Sequence, residues 1–151
     1  MSIHWYPGHM RKASNEMIEA LPLVNVVVEV LDARIPFSSS NPFIQGLCAE
    51  KPYIKLLNKT DLADPEITKQ WQDYFEQQAN TKTLALDLKN YDPSKQIIDL
   101  INKLSPHKEG RNTLAMVTGI PNVGKSTLIN ILAERIIAKT GNEPAVTKSQ
   151  Q

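Results

Sequence analysis

Leu114-Ala115-Met116-Val117-Thr118, followed by Gly119-Ile120-Pro121-Asn122-Val123-Gly124-Lys125-Ser126, decides how this chain is read. The run from Gly119 to Ser126 matches the phosphate-loop pattern G-x-x-x-x-G-K-[S/T] in full. An apolar strand pattern leads in. Helical spacing of Leu128, Ile131, Leu132 and Ile136 leads out. The spacing has a chemical reason. Gly119 and Gly124 let the backbone curl so that successive N–H groups converge on phosphate oxygens. The start of the helix adds the positive end of its dipole. Lys125 is placed for the β and γ phosphates, the Ser126 hydroxyl for Mg²⁺, and Thr127 for the α phosphate. Residues Asn122, Val123, Gly124, Lys125, Ser126 and Thr127 are the expected phosphate-binding set.

Upstream, Asn58-Lys59-Thr60-Asp61 follows the apolar run Tyr53–Leu57. Alone, this tetrapeptide is a capped turn. At a strand end in a phosphate-loop chain it reads as a guanine site. Guanine presents two donors, N1–H and the 2-amino group, and one carboxylate, Asp61, accepts both. Adenine would leave that charge unpaired, at a large cost. Asn58 is placed to bond the purine N7 and tie the motif to the phosphate loop. The Lys59 stem is placed along the purine face. Thr60 completes the turn.

The remaining pattern supplies the frame. Continuous apolar runs at Val24–Leu31, Tyr53–Leu57, Thr83–Leu88 and Leu114–Thr118 predict strands covered on both faces, as in a parallel sheet. Helical patterns lie between them. Asn41-Pro42, Asp64-Pro65 and Asp92-Pro93 each pair an N-cap with proline at the first helical position. A further helix is expected from Gly8 to Ala20, and the last helix from Lys125 to a stop at Gly141. The predicted class is α/β: a phosphate-loop-type parallel sheet flanked by helices. Sites in such sheets form at the carboxyl ends of the strands.

Composition narrows the alternatives. The chain has 151 residues with a formal net charge of +1, enough for one core and without the global charge of a nucleic-acid or membrane binder. Its single cysteine, Cys48, permits no intrachain disulfide and suits a reducing cytoplasm. The apolar run from Val24 to Leu31 is too short to span a bilayer, so no membrane association is expected.

The order of the two motifs is reversed relative to most GTPases, in which the phosphate loop comes first. With Trp5-Tyr6-Pro7-Gly8-His9-Met10, Asp32-Ala33-Arg34-Ile35-Pro36 and Lys139-Thr140-Gly141, this order makes residues 1–151 resemble the circularly permuted GTPases that assist ribosome assembly. The resemblance implies a circularly permuted GTPase topology, GTP and GDP as ligands, Mg²⁺ and K⁺ as cofactors, and the large ribosomal subunit and its rRNA as partners. It places the base-supporting loop at Asp87-Leu88-Lys89, where small polar residues are lacking and backbone contacts are expected. It places a K⁺ ligand at Asn122 and the switch threonine, a second Mg²⁺ ligand, at Thr147. His9 matches a histidine proposed to orient the attacking water. The implied catalytic set is thus His9, Lys125 and Thr147. Asp32 and Arg34 are expected to be structural, holding the N-terminal segment and the loop before Asn41. The family continues with two more strands, an Asp-x-x-Gly turn and a helical RNA-contacting domain. The expectation is therefore a G domain incomplete at its C-terminus, truncated before the last two strands. Leu114–Thr118 is then expected to present an open edge.

Three functions compete: a GTP-hydrolysing assembly factor, a GTP/GDP-binding fragment with little or no hydrolysis, and a phosphate-loop kinase or ATPase in which Asn58–Asp61 is accidental. Asp61 separates the last from the others. Asp61→Asn is expected to weaken GTP strongly and to improve xanthosine triphosphate, because xanthine offers a carbonyl where guanine offers an amine. Competition binding checks this, and an unchanged preference for guanine would remove Asp61 from the base site.

Overall fold

The computed structural model describes residues 2–5, 18–19, 21–48, 50–89, 93–105, 113–120 and 123–140, of which 2–5 and 135–140 are described by backbone alone. In chain order the strands are β1 (Ser2–Trp5), β2 (Val26–Asp32), β3 (Tyr53–Asn58), β4 (Thr81–Ala85) and β5 (Leu114–Thr118). The helices are α1 (Pro36–Ser39), α2 (Pro42–Leu47), α3 (Pro65–Glu76), α4 (Ser94–Leu104) and α5 (Lys125–Thr140). All strand pairs are parallel, and their order in space is β1-β5-β2-β3-β4.

Within this sheet the four continuous apolar runs lie in the order β5-β2-β3-β4. The open edge is not found. β1 pairs with β5 in the register Ser2↔Leu114 to Trp5↔Val117, so the phosphate-loop strand lies between two neighbours. Ser2-Ile3-His4-Trp5 is short and only half apolar, and its pairing supplies what its pattern does not signal.

Period-two alternation divides β2 between two faces although all of its residues are buried. Val26, Val28 and Val30 join Ile54, Leu56, Ala115 and Val117 under α4 and α5, where Ile97, Ile101, Leu128 and Leu132 fill the main core. Fully burying an isoleucine such as Ile97 is worth about 1.5–3 kcal/mol. The opposite face carries Val27, Tyr53, Met116 and Cys48 at one end, and Leu31, Leu57 and Phe75 at the other. Cys48 is a packing residue there, and burial pushes its thiol up to about 11.

Between these two clusters lies an ion pair. Glu29 and Lys55 are register partners on β2 and β3, and Lys55 Nζ stands 2.8 Å from Glu29 Oε1 with both side chains buried. The other carboxylate oxygen accepts from Asn41 N at 2.9 Å. The ammonium also lies 4.7 Å from the Phe75 ring centroid. Removing either partner would leave an uncompensated buried charge, which costs about 3–5 kcal/mol.

Two of the three expected N-caps form. Asn41 Oδ1 accepts from Phe43 N and Ile44 N, and Asp64 Oδ1 from Glu66 N and Ile67 N. At α4 the cap position is Pro93, not the first helical position, and Asp92 lies outside the described residues. Most of the helix expected from Gly8 to Ala20 and the stop at Gly141 also lie outside them, though residues 18–19 are helical. Along α3 the buried residues are Thr68 and Phe75, while Ile67 and Tyr74 are exposed. Trp71 stacks on Phe75 and on Phe37 of α1.

Because β5 is hydrogen-bonded on both sides, its central amides are expected to exchange slowly in a verified monomer. Hydrogen exchange at Ala115 to Val117 checks this. Rapid exchange there, with dimerisation through this strand, would restore the open edge.

Candidate nucleotide site

Four strand ends on one side of the sheet carry the predicted residues. β2 ends at Asp32, β3 at Asn58, the loop after β4 carries Asp87 and Leu88, and β5 leads into Gly119. Asp32, Asn58, Asp87 and Lys125 are all buried, a concentration of polar groups that an apolar sheet tolerates only where each has a partner.

Asn58 is the junction. Its Nδ2 donates to Val123 O at 2.9 Å, and its Oδ1 accepts from Leu88 N at 3.0 Å. One amide therefore joins the phosphate loop to the loop after β4. Leu88 takes part through its backbone N–H. Asp87 Oδ1 turns back to accept from Lys89 N at 3.1 Å. Thr60 N donates to Leu86 O at 3.2 Å, which seats the turn Thr60–Leu62 on the same loop. Asp61, in that turn, is exposed. Lys59 adopts a left-handed conformation at φ 68°, unusual for a residue with a side chain.

The phosphate loop closes tightly. A Cβ on Gly119 would stand 2.7 Å from Val30 O, and one on Gly124, at φ +112°, would run into Asn58 Nδ2. Both glycines are thus required by close approach. Lys125 opens α5 and folds back so that Nζ donates to Gly119 O at 2.6 Å. Its burial lowers its pKa. Ser126 and Thr127 are exposed in the first turn of the same helix. A hydroxyl there is an oxygen donor suited to Mg²⁺, which takes few protein ligands and several from phosphates and water. Among the described residues no group of three or more His, Cys, Asp or Glu could hold a metal by itself. His9, Asn122 and Thr147 lie outside the described residues.

Asp32 is more closely tied to the base-reading turn than its sequence position suggests. It is the register partner of Asn58. Its Oδ1 accepts from Arg34 N at 2.9 Å and Nε at 3.0 Å, and its Oδ2 from Arg34 Nη2 at 2.6 Å. Lys59 Nζ stands 3.5 Å from the same Oδ2. The Arg34 hydrogen bond holds the Asp32 carboxyl down to about 2, so it stays ionised at neutral pH. The backbone of Asp32 donates to Ser39 Oγ at 3.0 Å, which secures the loop before Asn41. The motif Asp-x-Arg signals the local turn, but nothing in the sequence signals the reach to Lys59.

Comparison with known proteins agrees with this geometry. A ribosome biogenesis GTPase A of Bacillus pumilus is 48% identical over 160 residues, which cover 100% of this chain and 56% of that protein. The chain is thus similar over its whole length to a ribosome biogenesis GTPase A. A ribosome biogenesis GTPase A of Priestia megaterium is 47% identical, again over 100% of this chain and 56% of that protein. A mitochondrial ribosome-associated GTPase 1 of Xenopus tropicalis is 37% identical over 97% of this chain and 50% of its own length. The family model described as a 50S ribosome-binding GTPase matches residues 114–151. A solved structure, a GDP-bound form of TM YlqF, superposes with a TM-score of 0.62 at 34% identity, covering 80% of this chain and 48% of that one. The chain spans about half the length of the curated relatives it matches.

Gly124→Ala is expected to lower nucleotide affinity at least tenfold and to destabilise the protein by about 2 kcal/mol or more, since the new methyl displaces the Asn58 amide. Thermal unfolding and titration with a fluorescent GDP analogue check this. Wild-type affinity would show that Asn58 is free to move.

Proposed function

We propose that residues 1–151 form a circularly permuted G domain that binds GTP and GDP and hydrolyses GTP in the assembly of the large ribosomal subunit. The observation that carries the reading is the Asn58 bridge: the base-reading motif and the phosphate loop, in reversed chain order, meet through a single amide. The names of the relatives and the GDP-bound neighbour support the same assignment.

The roles follow from chemistry. Asp61 accepts from guanine N1–H and the 2-amino group, Asn58 faces the purine, and the backbone of Asp87-Leu88 supports the base. Backbone N–H groups from Asn122 to Ser126 and the start of α5 receive the phosphates. Lys125 exchanges its bond to Gly119 O for the β and γ oxygens. Ser126 and Thr147 would hold Mg²⁺, which supplies charge neutralisation at the phosphates when bound. Asn122 would hold K⁺. His9 would orient the attacking water, and Thr147 would close over the γ phosphate. Ribosomal RNA is the proposed contact of the full-length protein, and the cytoplasm its location. Among the described residues no helix is long and apolar enough to cross a membrane.

Single-turnover hydrolysis of GTP, with ATP as competitor, tests the reading in KCl and in NaCl at equal ionic strength. Faster hydrolysis in KCl, lost in Asn122→Ala, is expected. Binding of GTP without hydrolysis would leave a nucleotide-binding module, and equal competition by ATP would favour the kinase or ATPase reading.

A further inference from the structure

We propose that Asp32 is a positioning residue for guanine recognition: its carboxylate fixes the Lys59 ammonium and so lays the lysine stem across the base site. The inference rests on the guanine-nucleotide reading of the site.

Lysine is a poor choice for a rigid wall. Its four-carbon stem has many rotamers, and its ammonium favours water. At Lys59 two constraints remove that freedom. The backbone is locked in the left-handed region at φ 68° and ψ 39°, with Leu62 N bonded to Lys59 O at 3.0 Å. The head lies 3.5 Å from Asp32 Oδ2.

The anchor is itself held from every side. Asp32 ends β2 in register with Asn58, and Ala33 N donates to Asn58 O at 2.7 Å. Ser39 Oγ receives its backbone N–H. Arg34 takes both carboxylate oxygens, leaving the Asp32 side chain only 6% exposed. An exposed pair of this length would be worth little. Here one partner is buried and immobile, so the ion pair sets a position instead of merely adding attraction.

The backbone turn alone would not need the charge. Asparagine could accept the Arg34 backbone N–H equally well and keep the turn. The carboxylate is used by the two cations, and one of them belongs to the base-reading motif.

A double-mutant cycle tests this with GDP binding by calorimetry. Asp32→Asn is expected to weaken GDP about five- to twentyfold, roughly 1–2 kcal/mol. Lys59→Ala should weaken it by at least as much. The double variant should bind no worse than Lys59→Ala alone, because Asp32 acts through the lysine. Multiplying losses in the double variant would make Asp32 a structural residue. Unchanged affinity in Asp32→Asn would overturn the proposal outright. Thermal unfolding without nucleotide identifies variants that fail to fold. If Asp32→Asn is one, the same cycle is run with Asp32→Glu, which keeps the charge and displaces it by one methylene; a loss absent in the Lys59→Ala background supports the proposal, and a loss that persists there overturns it. Wild-type protein without preference for GDP over ADP would sink the guanine reading itself, whereas a guanine-selective wild type with additive losses sinks only the role of Asp32.

Discussion

The site depends on the side-chain amide of Asn58. It satisfies one donor and one acceptor from segments far apart in sequence: the carbonyl of Val123 and the N–H of Leu88. A carboxylate could not donate to Val123, and a lysine could not accept from Leu88. Only a group with both polarities at one carbon serves both loops. Gly124 is the complement of this arrangement, because the amide occupies the volume that a Cβ would need. The two motifs are therefore mechanically one object, and chain order is irrelevant to it. That is why a permuted connection can leave this junction intact.

Much of this was legible in the sequence because the motif residues are constrained by ligand chemistry and the strands by burial. β2, β3 and β5 are continuous apolar runs, and such runs have few alternatives next to Gly- and Pro-marked loops. The boundaries slipped where burial and strand geometry part company. Leu86 and Leu88 are buried and read as strand, yet β4 ends at Ala85. Their apolar side chains enter the main core while their backbones turn away to serve Thr60 and Asn58. On α3, Ile67 and Tyr74 fit a helical stripe, but the packed face is set by Phe75, and the stripe lies partly in water. β1 escaped because four residues of mixed polarity carry no periodic signal; their conformation comes from the partner strand. The Asp32–Lys59 pair escaped for the same general reason, being a tertiary contact between two strand ends.

The two faces of the sheet hold together by different means. Among the described residues one is packed chiefly by aliphatic side chains. The other carries Glu29 and Lys55 at its centre, enclosed by Tyr53 and Phe75 and extended to Asn41 N at the start of α2. A charged pair of this kind is a weak source of stability but a strict one of alignment. Sliding β2 against β3 by one residue would separate Glu29 from Lys55 and would also uncouple Asp32 from Asn58. The register that satisfies the buried charges is the register that builds the site.

The position of β1 bears on the order in which the molecule can be assembled. Ser2–Trp5 leave the ribosome before β2, β3 and β4, yet their partner, Leu114–Thr118, emerges only after all three. Strands β2, β3 and β4 and the helices between them are contiguous in sequence and can collapse while synthesis continues. The β5 strand then enters between β2 and a strand, β1, made long before it. Closing so long a loop is a slow step by topology. The bridge from Asn58 to Val123 therefore forms only after β5 has docked, and a nascent chain arrested before Thr118 has Asn58 in place but no Gly119–Ser126 loop to set against it.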